Sequence, residues 1–208
     1  YIAPETFRNC EQLKTFYIGK AFRGKINYGE EGDPDTLFLY YAPIRLIQID
    51  KENTSYQLQN EILYTRDGHI LCQALKNDNA DSQLTIPSCV TEIADGAFYR
   101  NSEFGAIEVK GSLERIGISA FACADVGSFY VKGGVNYLDR GSFYQSAISE
   151  WRCHGGVKKY EKSAFQDVDA TNGYAIDMNA ITKLYQELLY VNATTDLSYW
   201  VKTIWNWI

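Results

Sequence analysis

The sequence predicts an α/β solenoid, in which short coils with parallel strands are stacked, interrupted by a β-hairpin and closed by a helical C-terminal segment. Three observations predict it: phenylalanines recur at a fixed period, apolar residues keep constant offsets from them, and an amphipathic pattern follows the last repeat. Such a period is typical of repeat proteins, because one repeat cannot bury its apolar face without its neighbours.

The phenylalanine period is the clearest of these signals. Phe98, Phe121, Phe143 and Phe165 end the tripeptides GAF, SAF, GSF and SAF, and they are separated by 23, 22 and 22 residues. A small residue followed by phenylalanine suits a tight turn that places the ring inside the coil. We therefore expect these four rings to stack in one buried column.

The apolar residues between the phenylalanines predict one strand in each coil. Two apolar residues separated by one position alternate as strand residues do, and a second apolar pair begins four residues later. The first pair predicts parallel strands centred on Phe16–Ile18, Ile47–Ile49, Ile107–Val109, Phe129–Val131 and Trp151–Cys153. The alternative is a β-rich globule with chance spacing, which five matches to one set of offsets disfavour.

Two stretches interrupt the repeat. The segment Tyr28–Asp35 is rich in glycine, proline and acidic residues, which predicts an exposed loop. Further along, Asp67-Gly68 stands between two apolar runs. Asp-Gly favours the positive φ angles of a two-residue hairpin turn, so we expect a hairpin insertion within about residues 56–75.

The C-terminal segment has a different pattern. Apolar residues at helical spacing predict a helix over Met178–Val191 with Asp177 as its N-cap, and the Trp-rich segment Leu197–Ile208 suggests a second helix. We expect residues 1–168 to form about six coils and residues 169–208 to form a helical cap over the last coil, since an open solenoid end exposes its core. Alternatively, the tryptophans form a surface for a ligand or partner.

Two blocks of the repeat resemble a known family. The blocks Leu84–Phe98 (LTIPSCVTEIADGAF) and Leu113–Cys123 (LERIGISAFAC) are similar to BspA-like leucine-rich repeats. The resemblance is specific over residues 84–166 and weaker over residues 1–50. The proline that ends the strand in the family pattern occurs only at Pro87, and glycine stands near its place in later coils. The resemblance implies a leucine-rich-repeat solenoid from a bacterial surface or secreted protein that adheres to host proteins.

The charge and composition of the chain disfavour nucleic-acid binding and a membrane span. The net charge of −6 disfavours nucleic-acid binding, which needs a basic stripe, and no apolar run approaches the roughly 20 residues of a membrane span. Tyr1–Cys10 already has the repeat pattern and no secretory signal precedes it, so we expect a piece of a longer protein. The family resemblance implies that this protein is extracellular or lies at the cell surface.

Catalytic and metal-binding patterns are scarce in this sequence. The chain has two histidines, His69 and His154, without a nucleophile motif, and five cysteines without metal-ligand spacing. We therefore expect no catalysis, no cofactor and no metal. We expect buried free thiols, although Cys72 and Cys89 are candidates for a disulfide in an oxidising compartment.

Strand alternation identifies the outward residues of the strands. The candidate partner-binding residues on the expected concave face are Tyr17, Gln48, Glu108, Tyr130, Lys132 and Arg152. Tyrosine and arginine are enriched at protein interfaces, whereas tyrosine is also favoured in strands for packing alone. We expect a protein partner, such as a host extracellular-matrix or plasma protein, with glycan as another candidate. The alternative function is a structural spacer in a larger surface protein.

Overall fold

The computed structural model describes residues 7, 10, 12–26, 44–75, 82–101 and 104–166, and the backbone of residues 175–176. Within these residues the chain forms fourteen strands: β1 (Thr15–Ile18), β2 (Leu46–Ile49), β3 (Tyr56–Gln59), β4 (Ile62–Thr65), β5 (Ile70–Ala74), β6 (Ser82–Ile86), β7 (Glu92–Ile93), β8 (Phe104–Val109), β9 (Arg115–Ile116), β10 (Asp125–Val131), β11 (Val135–Leu138), β12 (Ala147–Cys153), β13 (Val157–Tyr160) and β14 (Ala175–Ile176). The predicted helices at Met178–Val191 and Leu197–Ile208 and the loop Tyr28–Asp35 lie outside the described residues.

Two parallel sheets form the sides of the regular coils. The front sheet has the order β14-β12-β10-β8-β6, and each of its strands belongs to a different coil. Its register aligns Ile107 with Phe129 and Phe129 with Trp151, and these three side chains are buried because alternate strand residues point inward. The observed strands contain all five predicted ranges, which confirms the predicted solenoid of stacked parallel strands.

The phenylalanine column is present. The rings of Phe98, Phe121, Phe143 and Phe165 stack with centroid distances of 4.6, 5.0 and 5.0 Å and interplanar angles of 10° or less. The first three rings are fully buried and Phe165 is partly buried at the end of the row. The centroid distances match the spacing of neighbouring strands, about 4.8 Å, so each coil adds one ring to the column.

The turns that carry these rings form a third hydrogen-bonded side. The N–H of Phe98 donates to the carbonyl of Ala120, and the N–H of Phe121 donates to that of Ser142, both at 2.7 Å. Residues two before or two after the phenylalanine have φ between 50° and 60°: Gly96, Arg100, Ser119, Cys123, Gly141 and Gln145. Alternating the sign of φ lets the turn backbone pair with the next coil while it reverses direction.

The glycines that follow the front strands stand one position after the place of Pro87, since the register puts Gly111 beside Ser88. The N–H of Gly155 donates to the carbonyl of Gly133 at 2.8 Å, so the coils touch backbone to backbone after the front strands. A Cβ atom at Gly155 would lie 2.6 Å from the nitrogen of Gly134, which is too close for any side chain. Only glycine fits at Gly155, because any Cβ atom would overlap the backbone of the neighbouring coil.

The back sheet joins the repeat to the predicted hairpin. Its order is β13-β11-β9-β7-β5-β4-β3, in which β5 pairs in parallel with β7 and antiparallel with β4. The turn at Arg66-Asp67-Gly68 connects β4 and β5, and Gly68 has a φ of 75°. The structure thus contains the hairpin, and β3 extends it to a three-stranded antiparallel meander that continues the sheet.

The meander separates two apolar cores. Ile62 and Tyr64 face the first core, which contains the phenylalanine column, whereas Leu63 between them faces a second core. The buried residues of the second core are Ile18, Ile26, Ile44, Ile47, Tyr56, Leu63, Cys72 and Leu75. Strands β1 and β2 cover this second core as a separate two-stranded parallel sheet. Burial on both faces explains the unbroken apolar run in β4.

Asn53 fastens the two-stranded sheet to the meander. Its amide nitrogen donates to the carbonyls of Gly19, at 2.8 Å, and Phe22, at 3.2 Å, while its amide oxygen accepts the N–H groups of Ser55 and Tyr56. The residue is 2% exposed, so its polar atoms are satisfied internally. It therefore fixes the start of β3 against the loop that follows β1.

Candidate functional site

The structure places the candidate residues in two sheets rather than in one row. Tyr17 is aligned with Gln48 across β1 and β2. Glu108, Tyr130 and Arg152 are aligned with one another in the front sheet. The single continuous ladder implied by the repeat spacing is divided, because β2 pairs with β1 in one sheet and β6 begins another. We call the outward side chains of β8, β10 and β12, with the residues that directly follow each strand, the front row.

Glu108 is the most constrained side chain of the front row. One of its carboxylate oxygens accepts from Nζ of Lys110 at 2.5 Å, and the other lies 3.2 Å from Nζ of Lys132 in the next coil. Hydrogen bonds from these two ammonium groups lower the pKa of Glu108. The carboxylate therefore bridges two coils and holds both lysine side chains over the sheet.

Tyr130 and Arg152 complete the front row. The ring of Tyr130 meets the ring of His154 edge to face, with a centroid distance of 5.3 Å. The guanidinium of Arg152 pairs with Glu150 two residues earlier on the same strand, and its side chain remains 57% exposed. This part of the front row thus presents an oriented aromatic ring and exposed cations.

The outward face of β1 and β2 is more apolar. Tyr17 is 59% exposed and Leu46 is 45% exposed, and both project from the same side of the two-stranded sheet. The hydroxyl of Tyr17 donates to Oδ2 of Asp50 at 3.0 Å, and this hydrogen bond raises the pKa of Tyr17. Gln48 is exposed beside it. These two candidates therefore form a separate, more apolar surface.

Reasoning from the sequence missed an ionic cluster on the back sheet. Arg115 contacts three carboxylates from the two coils that flank its own: Glu92 at 2.8 Å and Asp95 on one side, and Asp139 at 2.8 Å on the other. Burial favours a lower pKa for Arg115, but the three carboxylates outweigh it and raise that pKa. Asp95 also accepts the N–H of Ile118 at 2.8 Å, so this buried carboxylate is paired and hydrogen-bonded.

Tyr137 lies beside this ionic cluster, in the next coil of the back sheet. The hydroxyl of Tyr137 donates to Oε1 of Glu161 at 2.6 Å, and the ammonium of Lys159 lies 5.1 Å from the centroid of its ring. Partial burial and then this hydrogen bond raise the pKa of Tyr137. The signal was present in the sequence, because Glu92, Arg115 and Tyr137 recur at nearly the repeat period.

The repeat geometry agrees with a comparison of the sequence with family models. The model of the BspA type leucine rich repeat region matches residues 68–172 in six copies, which is half of the chain. The chain belongs to this family. The matched residues include the whole phenylalanine column and the front strands β6, β8, β10 and β12.

Two solved structures match this family member at low sequence identity, and one of them, at a TM-score above 0.5, shares its fold. The pneumococcal vaccine antigen PcpA is 16% identical with a TM-score of 0.54, and the match covers 86% of this chain and 54% of the antigen. A leucine-rich repeat protein from Eubacterium ventriosum is 14% identical with a TM-score of 0.32, over 74% of this chain and 59% of that one. The chain thus spans little more than half of either protein. Comparison with curated proteins finds no match.

None of the five cysteines of this BspA-type repeat chain forms a disulfide. The candidate disulfide between Cys72 and Cys89 is not formed, because Cys72 faces the second core while Cys89 is exposed in the turn after Pro87. Cys153 is buried as expected, but Cys10 and Cys123 are partly exposed. The described residues contain no cluster of His, Cys, Asp and Glu suited to a metal ion.

The two histidines lie apart and have structural contacts. Nδ1 of His69 is 2.9 Å from the carbonyl oxygen of Cys89, which ties the hairpin to the next coil. His154 contacts Tyr130 in the front row. The described part of the chain also holds no helix with the length and apolar character that a membrane span requires.

Proposed function

We propose that this chain is a non-catalytic protein-binding module that presents the front row to a partner outside the cell. The observation that carries the proposal is the registered alignment of Glu108, Tyr130 and Arg152 on three parallel strands. Leucine-rich repeats commonly mediate protein interactions, and membership of this family supports the same role here.

The energetics of the front row suit binding. The strands that carry it are fixed by the buried column beneath them, and Glu108, Tyr130 and Arg152 already have neighbours that orient them. Ordered side chains lose less conformational entropy when a partner binds, so a modest contact area is sufficient. Tyrosine and arginine are also the residues that most often carry binding energy at interfaces.

We propose an extracellular or cell-surface location and a host extracellular-matrix or plasma protein as the partner. The family resemblance implies surface adhesion, and the fold is shared with a protein described as a vaccine antigen. Tyr17, Gln48 and Leu46 then form a second, more apolar contact on the adjoining two-stranded sheet. Glycan is the other ligand class for which an aromatic and cationic row is suited.

A structural spacer is the alternative function. The observation that favours it is that the charges of the front row are paired within the row, Glu108 with two lysines and Arg152 with Glu150. A face whose charges are already paired needs no partner. The two functions differ in whether any extracellular protein binds the isolated chain.

We also propose the two-part organisation into a solenoid over residues 1–168 and a C-terminal cap over residues 169–208. The ring of Phe165 stacks on Phe143 and is the last of the column. Removing residues 177–208 is expected to expose this coil and to cause aggregation, measured by light scattering. A truncated chain that stays monomeric with an unchanged melting midpoint would contradict the cap.

The binding proposal is tested by screening the purified chain against extracellular-matrix and plasma proteins. We expect Tyr130→Ala and Arg152→Glu each to weaken binding of the partner at least about ten-fold, as removal of interface anchors does. Tyr144→Ala and Arg140→Glu are matched controls, because these residues have comparable exposure but lie near the phenylalanine turns. Unchanged binding by both front-row variants would remove this face as the site, and no partner at all would favour the spacer.

A further inference from the structure

The Glu108 bridge shows what ligand the front row is able to hold. A single carboxylate contacts Lys110 through one oxygen and Lys132 through the other, although these lysines belong to neighbouring coils. Side chains at this position are therefore spaced so that two adjacent cations share one carboxylate. Both lysines are substantially exposed, so the arrangement lies at the surface.

At the next step along the row, the position of Glu108 holds no carboxylate. Register places His154 beside Lys132, just as Lys132 lies beside Lys110. Tyr130 occupies the position that Glu108 has in the preceding coil, and it supplies a ring edge against His154 in place of an acid. Arg152, on the same strand as His154, adds an exposed guanidinium.

We propose that Lys132, His154 and Arg152 form a site that donates hydrogen bonds to a carboxylate side chain of an acidic protein partner. This inference rests on the proposed function of the front row and names the chemistry of its partner. Lys132 and Arg152 each retain donor hydrogens beyond their contacts with Glu108 and Glu150, because an ammonium has three and a guanidinium five.

Local charge is compatible with an acidic partner at this part of the front row. The whole chain has a net charge of −6, but around Tyr130 the front row has three basic side chains, Lys110, Lys132 and Arg152, and two acidic ones, Glu108 and Glu150. A local positive field on an acidic chain steers anionic segments towards it and away from the remaining surface.

Spacing favours a helical segment over an extended one. Equivalent positions in neighbouring coils are about 4.8 Å apart, which is the distance between strands. Acidic residues three or four apart on a helix are about 5–6 Å apart, whereas residues on one face of an extended strand are about 6.8 Å apart. An acidic helix ridge laid along the solenoid axis therefore matches successive coils more closely.

The test uses a fluorescein-labelled helical peptide with glutamates at positions i, i+4 and i+7, and a matched glutamine peptide. Fluorescence anisotropy with the full chain should show binding of the glutamate peptide that weakens as salt is raised. Lys132→Gln should reduce the affinity about five-fold, whereas Glu108→Gln should raise it about two-fold or more because both lysines lose their internal partner.

Lys158→Gln is the matched control, since it removes the same charge from an exposed position on the back sheet. Its effect should stay within about two-fold. Equal losses for Lys132→Gln and Lys158→Gln, or equal binding of the glutamine peptide, would overturn the site. Binding of a sulfated oligosaccharide that depends on Lys132, without binding of the glutamate peptide, would assign the site to glycan instead.

The inference and the proposed function fail in different ways. A protein partner whose binding is lost in Tyr130→Ala but is unchanged in Lys132→Gln would preserve the front row as the binding surface and overturn the carboxylate site. Loss of that partner in both variants, with an insensitive Lys158→Gln, would support both.

Discussion

The regular coils over residues 82–166 and the N-terminal part over residues 12–26 and 44–75 use the same strand pattern but bury it differently. In the coils, one aromatic ring per repeat stacks on the next and both sheets grow by one strand per coil. In the N-terminal part, two strands pair with each other and lie over a meander, with a core of their own. Repetition alone therefore does not make one continuous stack; a meander with two buried faces divides it.

The largest expected effect concerns the phenylalanine column. Phe121→Ala should destabilise the chain by about 3–5 kcal/mol, since it opens a cavity between two stacked rings. Phe16→Ala in the N-terminal part should cost less, about 1–2 kcal/mol, because Phe16 is only partly buried. Urea unfolding measures both, and equal costs would remove the distinction between the two parts.

The next effect concerns the ionic cluster that joins three coils. Arg115→Met should cost about 2–4 kcal/mol, because it leaves the buried carboxylate of Asp95 without its cation. The double variant Arg115→Met with Asp95→Asn should recover part of this loss. A single variant as stable as the parent chain in urea unfolding would show that the cluster does not hold the coils together.

A third prediction separates the two cores by pH. Burial raises the pKa of Cys72 in the second core from 9.0 to about 12, and that of Tyr64 in the first core from 10.0 to about 12. The stability from each neutral group is complete below its unfolded pKa and is lost as the pH rises towards 12. The loss is about 1.4 kcal/mol per pH unit for each group within its window.

Variants assign these losses to the cores. Cys72→Ala should flatten the decline in urea midpoint that begins above about pH 9, and Tyr64→Phe should flatten only the part above about pH 10. A parent chain whose midpoint is constant from pH 8 to 11 would show that neither group is buried as described.

The smallest effect concerns the turns of the regular coils. Ser119 has a φ of 52°, where the preceding and following coils have glycine. Ser119→Gly should stabilise the chain by about 0.5–1 kcal/mol, because it removes the strain of a Cβ atom in the left-handed region. Thermal unfolding should show a higher midpoint. A lower midpoint would mean that the contacts of the serine side chain outweigh that strain.

The sequence was sufficient for features that depend on local spacing. The period of Phe98, Phe121 and Phe143 predicted the column, the apolar pairs predicted the front strands, and Asp67-Gly68 predicted the hairpin. Each of these depends on residues within one repeat, whose backbone conformation is set by alternation or by a turn. The structure then adds β3 as the third strand of the meander.

Features that depend on how coils meet could not be predicted in this way. The apolar run Ile62-Leu63-Tyr64 does not distinguish a strand buried on one face from a strand buried on both faces. The second core was therefore not predicted. The contacts of Arg115 depend on which side chains of neighbouring coils meet across the back sheet, and the recurrence of charged residues at the repeat period does not show this. For the same reason, Tyr17 and Tyr130 were expected in one row although they lie in different sheets.

Neighbouring residues of β4 belong to different cores, and amide hydrogen exchange distinguishes the two cores residue by residue. We expect Leu63→Ala to accelerate amide exchange in β1 and β2 while the amides of Phe121 and Phe143 stay protected, and Ile62→Ala to show the reverse order. If both variants accelerated exchange equally throughout the chain, the two cores would be one cooperative unit and the account would be contradicted.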